Sequence, residues 1–310
     1  MSNVHFDARL ADAERRRSLY AGDIFVYSPT PATLELCAFG RELIETAFAP
    51  HDPRHIHDKL PVEQCVAILA EVKPRFIHHP RSKELLRNLL VEFGCDPEET
   101  YFDVPRMRSA MPSDYLTSGI AYAFHPHRDT WYSAPFCQLN WWLPIYELLP
   151  ENCMAFHPRY WREPVKNSSR IYNYARWNAE GRKAAATQIK SDTREQPRPE
   201  EPVEIEPSLK VMCPPGGLIL FSAAQLHSTV PNTSGIARYS IDFRSVHGAD
   251  AAARRGAPNI DSACTGTTMR DYLRVSDLAH LPEPVILSHD AEGAAGYAGA
   301  PVERRAAVTV

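Results

Sequence analysis

No stretch of this 310-residue chain approaches the roughly 18 consecutive apolar residues that a membrane-spanning helix requires. The first residues, Met1 to Arg9, mix charges where a signal peptide needs an apolar run, so a cytoplasmic protein is expected. Basic excess is also lacking. The net charge is −4, which gives no electrostatic reason to expect nucleic acid as a partner. Closely spaced cysteines are missing too: Cys37, Cys65, Cys95, Cys137, Cys153, Cys213 and Cys264 are odd in number and scattered. That excludes the paired spacing of a structural zinc site and suggests buried, reduced thiols among apolar neighbours. No internal repeat is evident.

What is present is an ordinary globular composition, 44% hydrophobic and 23% charged, in a chain long enough to bury a core. The first hundred residues read as mostly helical. Helices are expected over 8–20, Ala32–Phe48, Val62–Val72 and Ser82–Phe93, with a short strand at Asp23–Tyr27. In the second helix Leu34, Leu36, Phe39, Leu43, Ile44 and Phe48 recur at three- to four-residue spacing. From Tyr101 the period shortens. Strand-like runs follow at 101–110, 117–127, 136–146, 152–157, 208–213, 217–222 and 236–247, separated by turn residues. The expected fold class is mainly β with flanking helices, around a double-stranded β-helix or jelly-roll core.

One domain of 310 residues is expected: a helical part over 1–100, a jelly-roll core over 101–250, and an extension over 251–310. An insertion at 161–207 interrupts the core. It reads as a solvated loop or as a substrate lid. As a lid, Tyr172, Tyr174, Arg176 and Trp177 would form its inner surface, and the proline- and glutamate-rich part at 193–201 would stay outside. The tail, His289 to Val310, is rich in Ala and Gly and expected to be poorly ordered.

Chemistry concentrates in two segments a hundred residues apart. His127-Arg-Asp129 follows a run rich in strand formers that starts at Ser118, and His227 follows the strand led by Gly217. Two histidines and one carboxylate can hold one face of Fe(II) and leave positions open for a chelating cosubstrate and dioxygen. Strand alternation would also put His125 on that face, making it the rival to His127 as ligand. The other His-x-Asp, His5 to Asp7, lies in a charged stretch without a strand pattern and reads as surface. His51, His55, His57, His78 and His79 also read as surface, and His157 as a satisfied neighbour of the site.

In the run Ile236 to Arg244, Arg238, Ser240, Asp242 and Arg244 alternate with Tyr239, Ile241 and Phe243. A polar face carrying two arginines either meets solvent or points into an anion pocket. Arg238 could grip a carboxylate in two-pronged fashion, with Ser240 adding one bond. Arg244 either pairs with Asp242 or another acid, or contacts an acidic substrate. Gln138, Asn140 and Trp142 share one side of their strand, where the amides could reach a cosubstrate carboxylate and the indole could wall the pocket. Trp131 and Tyr132, just beyond Asp129, stand where substrate would approach; they read equally as core aromatics.

At these residues the chain resembles the phytanoyl-CoA dioxygenase-like branch of the Fe(II)/2-oxoglutarate oxygenases over about 117–247. Gly217 to Phe221, His227-Ser-Thr, Pro231 to Ser234 and Arg238 carry the resemblance. It implies that His127, Asp129 and His227 bind iron and that Arg238, assisted by Ser240, holds the C5 carboxylate of 2-oxoglutarate. It also implies O2-dependent oxidation of a small molecule, usually hydroxylation, with release of succinate and CO2. Halogenase relatives replace the aspartate with a small residue, and Asp129 is present. Nothing marks a CoA site, and the insertion matches nothing in the branch. Two other readings remain open at this level: a cupin-like metal hydrolase or isomerase, and a non-catalytic metal- or small-molecule-binding module on the same scaffold.

Overall fold

The computed structural model describes residues 2–122, 125–182, 184–189 and 191–294, with side chains to Asp290. Four helices form the first part: α1 (Asp12–Tyr20), α2 (Pro31–Phe48), α3 (Val62–His78) and α4 (Pro80–Glu92). Helix α2 starts where Thr30 accepts the Thr33 amide in a capping box and Pro31 presets the first turn. Its stripe Leu36, Phe39, Leu43, Ile44 and Phe48 is buried, whereas Leu34 is exposed. Helix α3 runs through Pro74 and stops only before Pro80, beyond the end expected at Val72.

Among the described residues eleven strands follow in order: β1 (Val4–Phe6), β2 (Ile24–Tyr27), β3 (Thr100–Phe102), β4 (Arg106–Ala110), β5 (Leu139–Pro144), β6 (Met154–Phe156), β7 (Leu209–Val211), β8 (Leu218–Ser222), β9 (His227–Thr229), β10 (Arg238–His247) and β11 (Leu273–Arg274). The larger sheet has the order β1-β2-β8-β5-β10-β3-β11, with β4 also pairing with β10; the smaller is β7-β6-β9. Strand β1 pairs in parallel with β2, and the His5 ring stacks on Phe25 with Nε2 2.9 Å from Asp23. His5 is therefore half-buried in a strand, not a surface residue of a strandless stretch.

Period-two alternation gives the larger sheet two unlike faces. Leu139, Trp141, Leu143, Leu218, Leu220, Tyr239, Ile241 and Phe243 pack outward against α2, α3 and α4. The opposite face meets the smaller sheet: Trp142, Ile219 and Phe221 pack with Met154, Phe156 and Val211. Register aligns Arg244 with Asn140 and Asp242 with Trp142 on β5, and Arg238 with Ala110 and Ser240 with Arg108 on β4. The polar residues of β10 thus look into the space between the sheets, where water is scarce.

The run expected as a strand over 117–127 is not one. Gly119–Ala121 is a 3-10 turn, and Gly119 has φ +59°. Ser118 Oγ donates to Ile189 O at 2.6 Å, and Gly119 N donates to Asp192 at 3.0 Å. The Gly119 amide is thus taken by the insertion, and the Ser118 side chain ties the same turn to it, in place of strand pairing. A Cβ at Gly119 would lie 2.2 Å from Gln188 O, so the close approach of the insertion needs glycine there.

Within the insertion, short turns at Ser169–Ile171, Tyr174–Arg176 and Trp177–Gly181 replace regular structure. His289 sits in the helix Glu283–Ala294, with Nε2 2.9 Å from Ala251 O, so the start of the expected loose tail is ordered structure. Residues 295–310 lie outside the described residues. All seven cysteines are free, and only Cys264 is not buried. Among the described residues no helix is long and apolar enough to cross a membrane.

Candidate metal centre

His127 and His227 face each other across an antiparallel bridge in which each amide donates to the other's carbonyl at 3.0 Å. That exchange fixes their rings side by side, with centroids 4.4 Å apart. Each ring is then aimed by the same local device. Nδ1 of His127 lies 2.8 Å from His125 O, and Nδ1 of His227 lies 3.0 Å from Gln225 O. A carbonyl only accepts, so Nδ1 carries the proton in both neutral rings and the Nε2 lone pair is turned the other way.

Both Nε2 atoms face one oxygen. Asp129 Oδ1 is 3.4 Å from His127 Nε2 and 4.0 Å from His227 Nε2, and ligand atoms of the three residues lie within 4.8 Å of one another. Three lone pairs converging in a buried space repel unless a cation sits among them. Either a proton on one ring or a divalent ion relieves this, and two imidazoles with one carboxylate form a donor set suited to Fe(II).

Arg128, between the two ligands, fixes the turn. It is buried; Nη1 donates to Ala224 O at 2.6 Å, Nη2 to Tyr160 O at 2.5 Å, and Nε lies 3.1 Å from Asp261. Asp129 opens a 3-10 turn, Asp129–Tyr132, so it reaches Oδ1 into the site by turning off the extended path rather than by strand alternation.

Burial alone would raise the Asp129 carboxyl, but a proton shared from His127 Nε2, one of the two ways of relieving the converging lone pairs, and the charge of Arg244 outweigh it and hold it well below the ordinary range. Burial, reinforced by the neighbouring His127, pushes His227 down to about 3. Burial likewise takes His125 down to about 4 and lowers His157.

These histidines set an acid limit on the metal-free protein. Their folded pKa values are depressed, so below about pH 6.5 the unfolded chain takes up protons that the folded state refuses. Stability is complete above that pH and falls as pH drops toward 4. Thermal midpoints of metal-free protein between pH 7.5 and 4.5 should decline through this window; a flat profile would contradict the burial of neutral rings.

The structure separates the remaining sequence candidates. His125 is not at the centre: Nε2 is 2.7 Å from Pro197 O and Nδ1 is 3.1 Å from Tyr122 OH. Trp131 is fully buried with Tyr160, Val165 and Leu226, its indole N–H on Asp261 at 2.7 Å. It is a core aromatic and not a substrate contact. Tyr132 is at the centre, its ring 5.5 Å from His127 and 5.2 Å from Tyr172. His157 Nε2 lies 3.0 Å from Ser228 Oγ, a satisfied neighbour as expected.

Asn140 Nδ2 donates to Asp129 Oδ2 at 2.9 Å, so this amide serves the carboxylate ligand, which sequence alternation alone did not indicate. Arg244 is held by acids: its amide and Nη1 engage Asp103 at 2.7 and 3.2 Å, with Asp242 at 3.7 Å and Asp129 at 3.8 Å. Asp103, Arg106 and Arg108 belong to this charged face and were not singled out from sequence, although Arg106-x-Arg108 alternates visibly. Arg108 Nε meets Asp242 at 2.5 Å, and Arg106 Nη1 meets Asp103 at 2.5 Å.

Arg238 is different. It is buried, its guanidinium stacks 5.4 Å from the Trp142 ring, and Nη1 donates to Asn152 O at 3.2 Å. Its Nε and the nearby Ser240 Oγ are buried without a partner. Burial lowers this arginine to about 10. A buried cation and hydroxyl with unmet hydrogen bonds could receive an anion.

The insertion closes over the centre from the other side, and not as the sequence suggested. Gln196 is buried and Pro197 O accepts from Tyr132 OH at 3.1 Å, so the middle of the proline-rich part lies against the site while its flanks, Thr193, Glu195, Glu200 and Glu201, stay exposed. Tyr172 and Tyr174 are buried as expected, but Arg176 turns outward to Glu195 at 2.7 Å. Half-buried Trp177 stacks on Arg194 at 5.0 Å. Arg176 and Trp177 line a cleft of about 290 Å³ that Tyr172 also borders.

No family model matches the chain, and no curated protein is significantly similar to it. Among solved structures it is similar to EvdO2 from Micromonospora carbonacea var. aurantiaca, with TM-score 0.44 and 14% identity over 80% of this chain and 94% of that one. AviO1 from Streptomyces viridochromogenes Tue57 matches with TM-score 0.39 and 14% identity over 82% and 100%. The non-heme alpha-ketoglutarate-dependent epimerase SnoN from nogalamycin biosynthesis matches with TM-score 0.36 and 14% identity over 76% and 84%. These similarities are too remote to transfer any property to this chain.

Proposed function

We propose that the protein is an Fe(II)/2-oxoglutarate-dependent oxygenase that hydroxylates a small organic molecule with release of succinate and CO2. The observation that carries this reading is a pairing on one inner face: converging lone pairs of His127, Asp129 and His227, and the unpartnered polar atoms of Arg238 and Ser240. A hydrolase or isomerase would need the first feature and not the second. Strand order supports the scaffold: the series β4-β10-β5-β8 facing β7-β6-β9, with His127 bridged to β9, is consistent with a double-stranded β-helix jelly roll.

In this reading His127, Asp129 and His227 hold iron, which when bound supplies the oxidation that couples cosubstrate decarboxylation to attack on a substrate C–H bond. Arg238 and Ser240 bind the far carboxylate of 2-oxoglutarate, and Trp142 walls its chain. Tyr132 and Tyr172 form the substrate side, beneath the 190s segment of the insertion, which acts as a lid that keeps water from the reacting atoms. The cleft at Arg176 and Trp177 is the approach to it. Arg244 holds Asp129 and Asp103 in place.

Adding 2-oxoglutarate to the anaerobic Fe(II) protein should produce a weak visible charge-transfer band, and admitting air should release succinate. A metal-loaded protein that binds no 2-oxoglutarate would return the assignment to the hydrolase or binding-module readings.

A further inference from the structure

The two oxygens of Asp129 are treated unequally. Oδ1 faces both histidine Nε2 atoms, whereas Oδ2 accepts Asn140 Nδ2 at 2.9 Å and Gln138 Nε2 at 3.3 Å. The donors are themselves locked. Gln138 Nε2 also donates to Asn140 Oδ1 at 2.8 Å, so Asn140 must present its NH2 group to the carboxylate. Tyr272 OH donates to Gln138 Oε1 at 2.7 Å, which fixes the second amide in turn. Reversing either amide would bring carbonyl oxygen against carboxylate oxygen. Gln138, Asn140 and Tyr272 are all buried, so water does not supply the same bonds. Burial also keeps the Tyr272 phenol protonated, hence a donor.

From this geometry we infer that Gln138 and Tyr272 are positioning residues for the metal centre: with Asn140 they occupy Asp129 Oδ2 and make Oδ1 the sole ligand oxygen. The inference rests on the metal-centre reading above and deepens it. Two N–H donors on one oxygen reduce its basicity and occupy its lone pairs, so the carboxylate binds through one oxygen. A two-oxygen mode would consume a coordination position that the cosubstrate or dioxygen needs. Tyr272 comes from the segment after β10, in the part read from sequence as a C-terminal extension. That segment is thereby part of the site and not an appendage.

The test is anaerobic titration of the full chain with Co(II), whose visible bands report coordination, in wild type, Gln138→Met and Tyr272→Phe. Gln138→Met should weaken Co(II) binding by about 10–100-fold, the usual cost of losing an outer partner of a ligand. It should also change band intensity as the second oxygen joins the metal. Tyr272→Phe should shift both readings in the same direction by less. Wild-type affinity and spectrum in both folded variants would overturn the inference. Should Gln138→Met fail to fold, Tyr272→Phe decides alone, since it removes one oxygen from a ring that stays packed. Because 2-oxoglutarate is absent from the assay, failure of the oxygenase chemistry cannot be mistaken for failure here. Asp129→Ala run in parallel reads the centre itself: unchanged Co(II) affinity there would overturn both the inference and the proposed function.

Discussion

Replacing Asp129 by alanine is expected to abolish 2-oxoglutarate-coupled turnover while the protein remains folded. Among the described residues the carboxylate is one of three protein donors that converge at the centre, so its loss should exceed the about 10–100-fold cost in affinity typical of outer-shell changes. His127→Ala and His227→Ala should do the same. The fold should survive because the backbone bonds between residues 127 and 227 do not involve the side chains, and because Arg128, not Asp129, fastens the turn. Removing Asp129 also relieves a buried charge that Asn140, Gln138 and Arg244 now serve, so a modest loss of thermal stability should accompany it. Succinate release and Fe(II) binding are the measurements, and full activity in Asp129→Ala would end the oxygenase assignment. His125→Ala is the informative control. Its carbonyl aims His127, whereas its side chain fastens Tyr122 and the insertion. Metal binding should therefore persist; its loss in this variant alone would mean that the wrong histidine has been assigned.

The second large effect is expected at Arg238. Arg238→Gln removes the buried cation while leaving the metal ligands untouched, so 2-oxoglutarate affinity should collapse with Fe(II) affinity nearly unchanged. Truncating one partner of a buried, hydrogen-bonded charge pair costs about 2–5 kcal/mol, or roughly 30- to several-thousand-fold in affinity. Arg238→Lys should recover only part of this, because a point charge cannot reproduce the two-pronged grip or the stack on Trp142. Titrating 2-oxoglutarate into the anaerobic Fe(II) protein measures it. Unchanged cosubstrate affinity would transfer the role to another cation of the inner face, Arg108 or Arg244.

Much of the architecture was legible in the sequence because it follows from local periodicity. The three- to four-residue spacing of Leu36, Phe39, Leu43 and Ile44 could only be an amphipathic helix, and the alternation from Arg238 to Arg244 could only be a two-faced strand. The His-x-Asp pair and the distant His227 were also visible in the sequence, since few chemistries ask for that donor set, and the fold brings ligand atoms of His127, Asp129 and His227 within 4.8 Å of one another. Where periodicity was the only guide, it also misled. Residues 117–127 have strand-forming side chains, yet the Ser118 hydroxyl is held by Gln188 and Ile189 and the Gly119 amide by Asp192, partners some seventy positions away. The proline-rich stretch looked solvated by composition, but Pro197 offers a carbonyl, which composition does not describe.

Local chemistry therefore determined which elements form, which face of each is polar, and which three side chains could hold a metal. Tertiary structure alone decided what those side chains do. It gave the His125 ring to Tyr122 and Pro197 and turned the His127 ring toward Asp129 and His227. It turned Asn140 from a cosubstrate contact into a support for Asp129, and brought Tyr272 to the centre through Gln138. Each decision concerns a hydrogen bond in a space without water, where a donor must find a partner from whatever part of the chain is folded against it. A linear pattern shows that a donor is present, but its partner is set by which strands lie side by side.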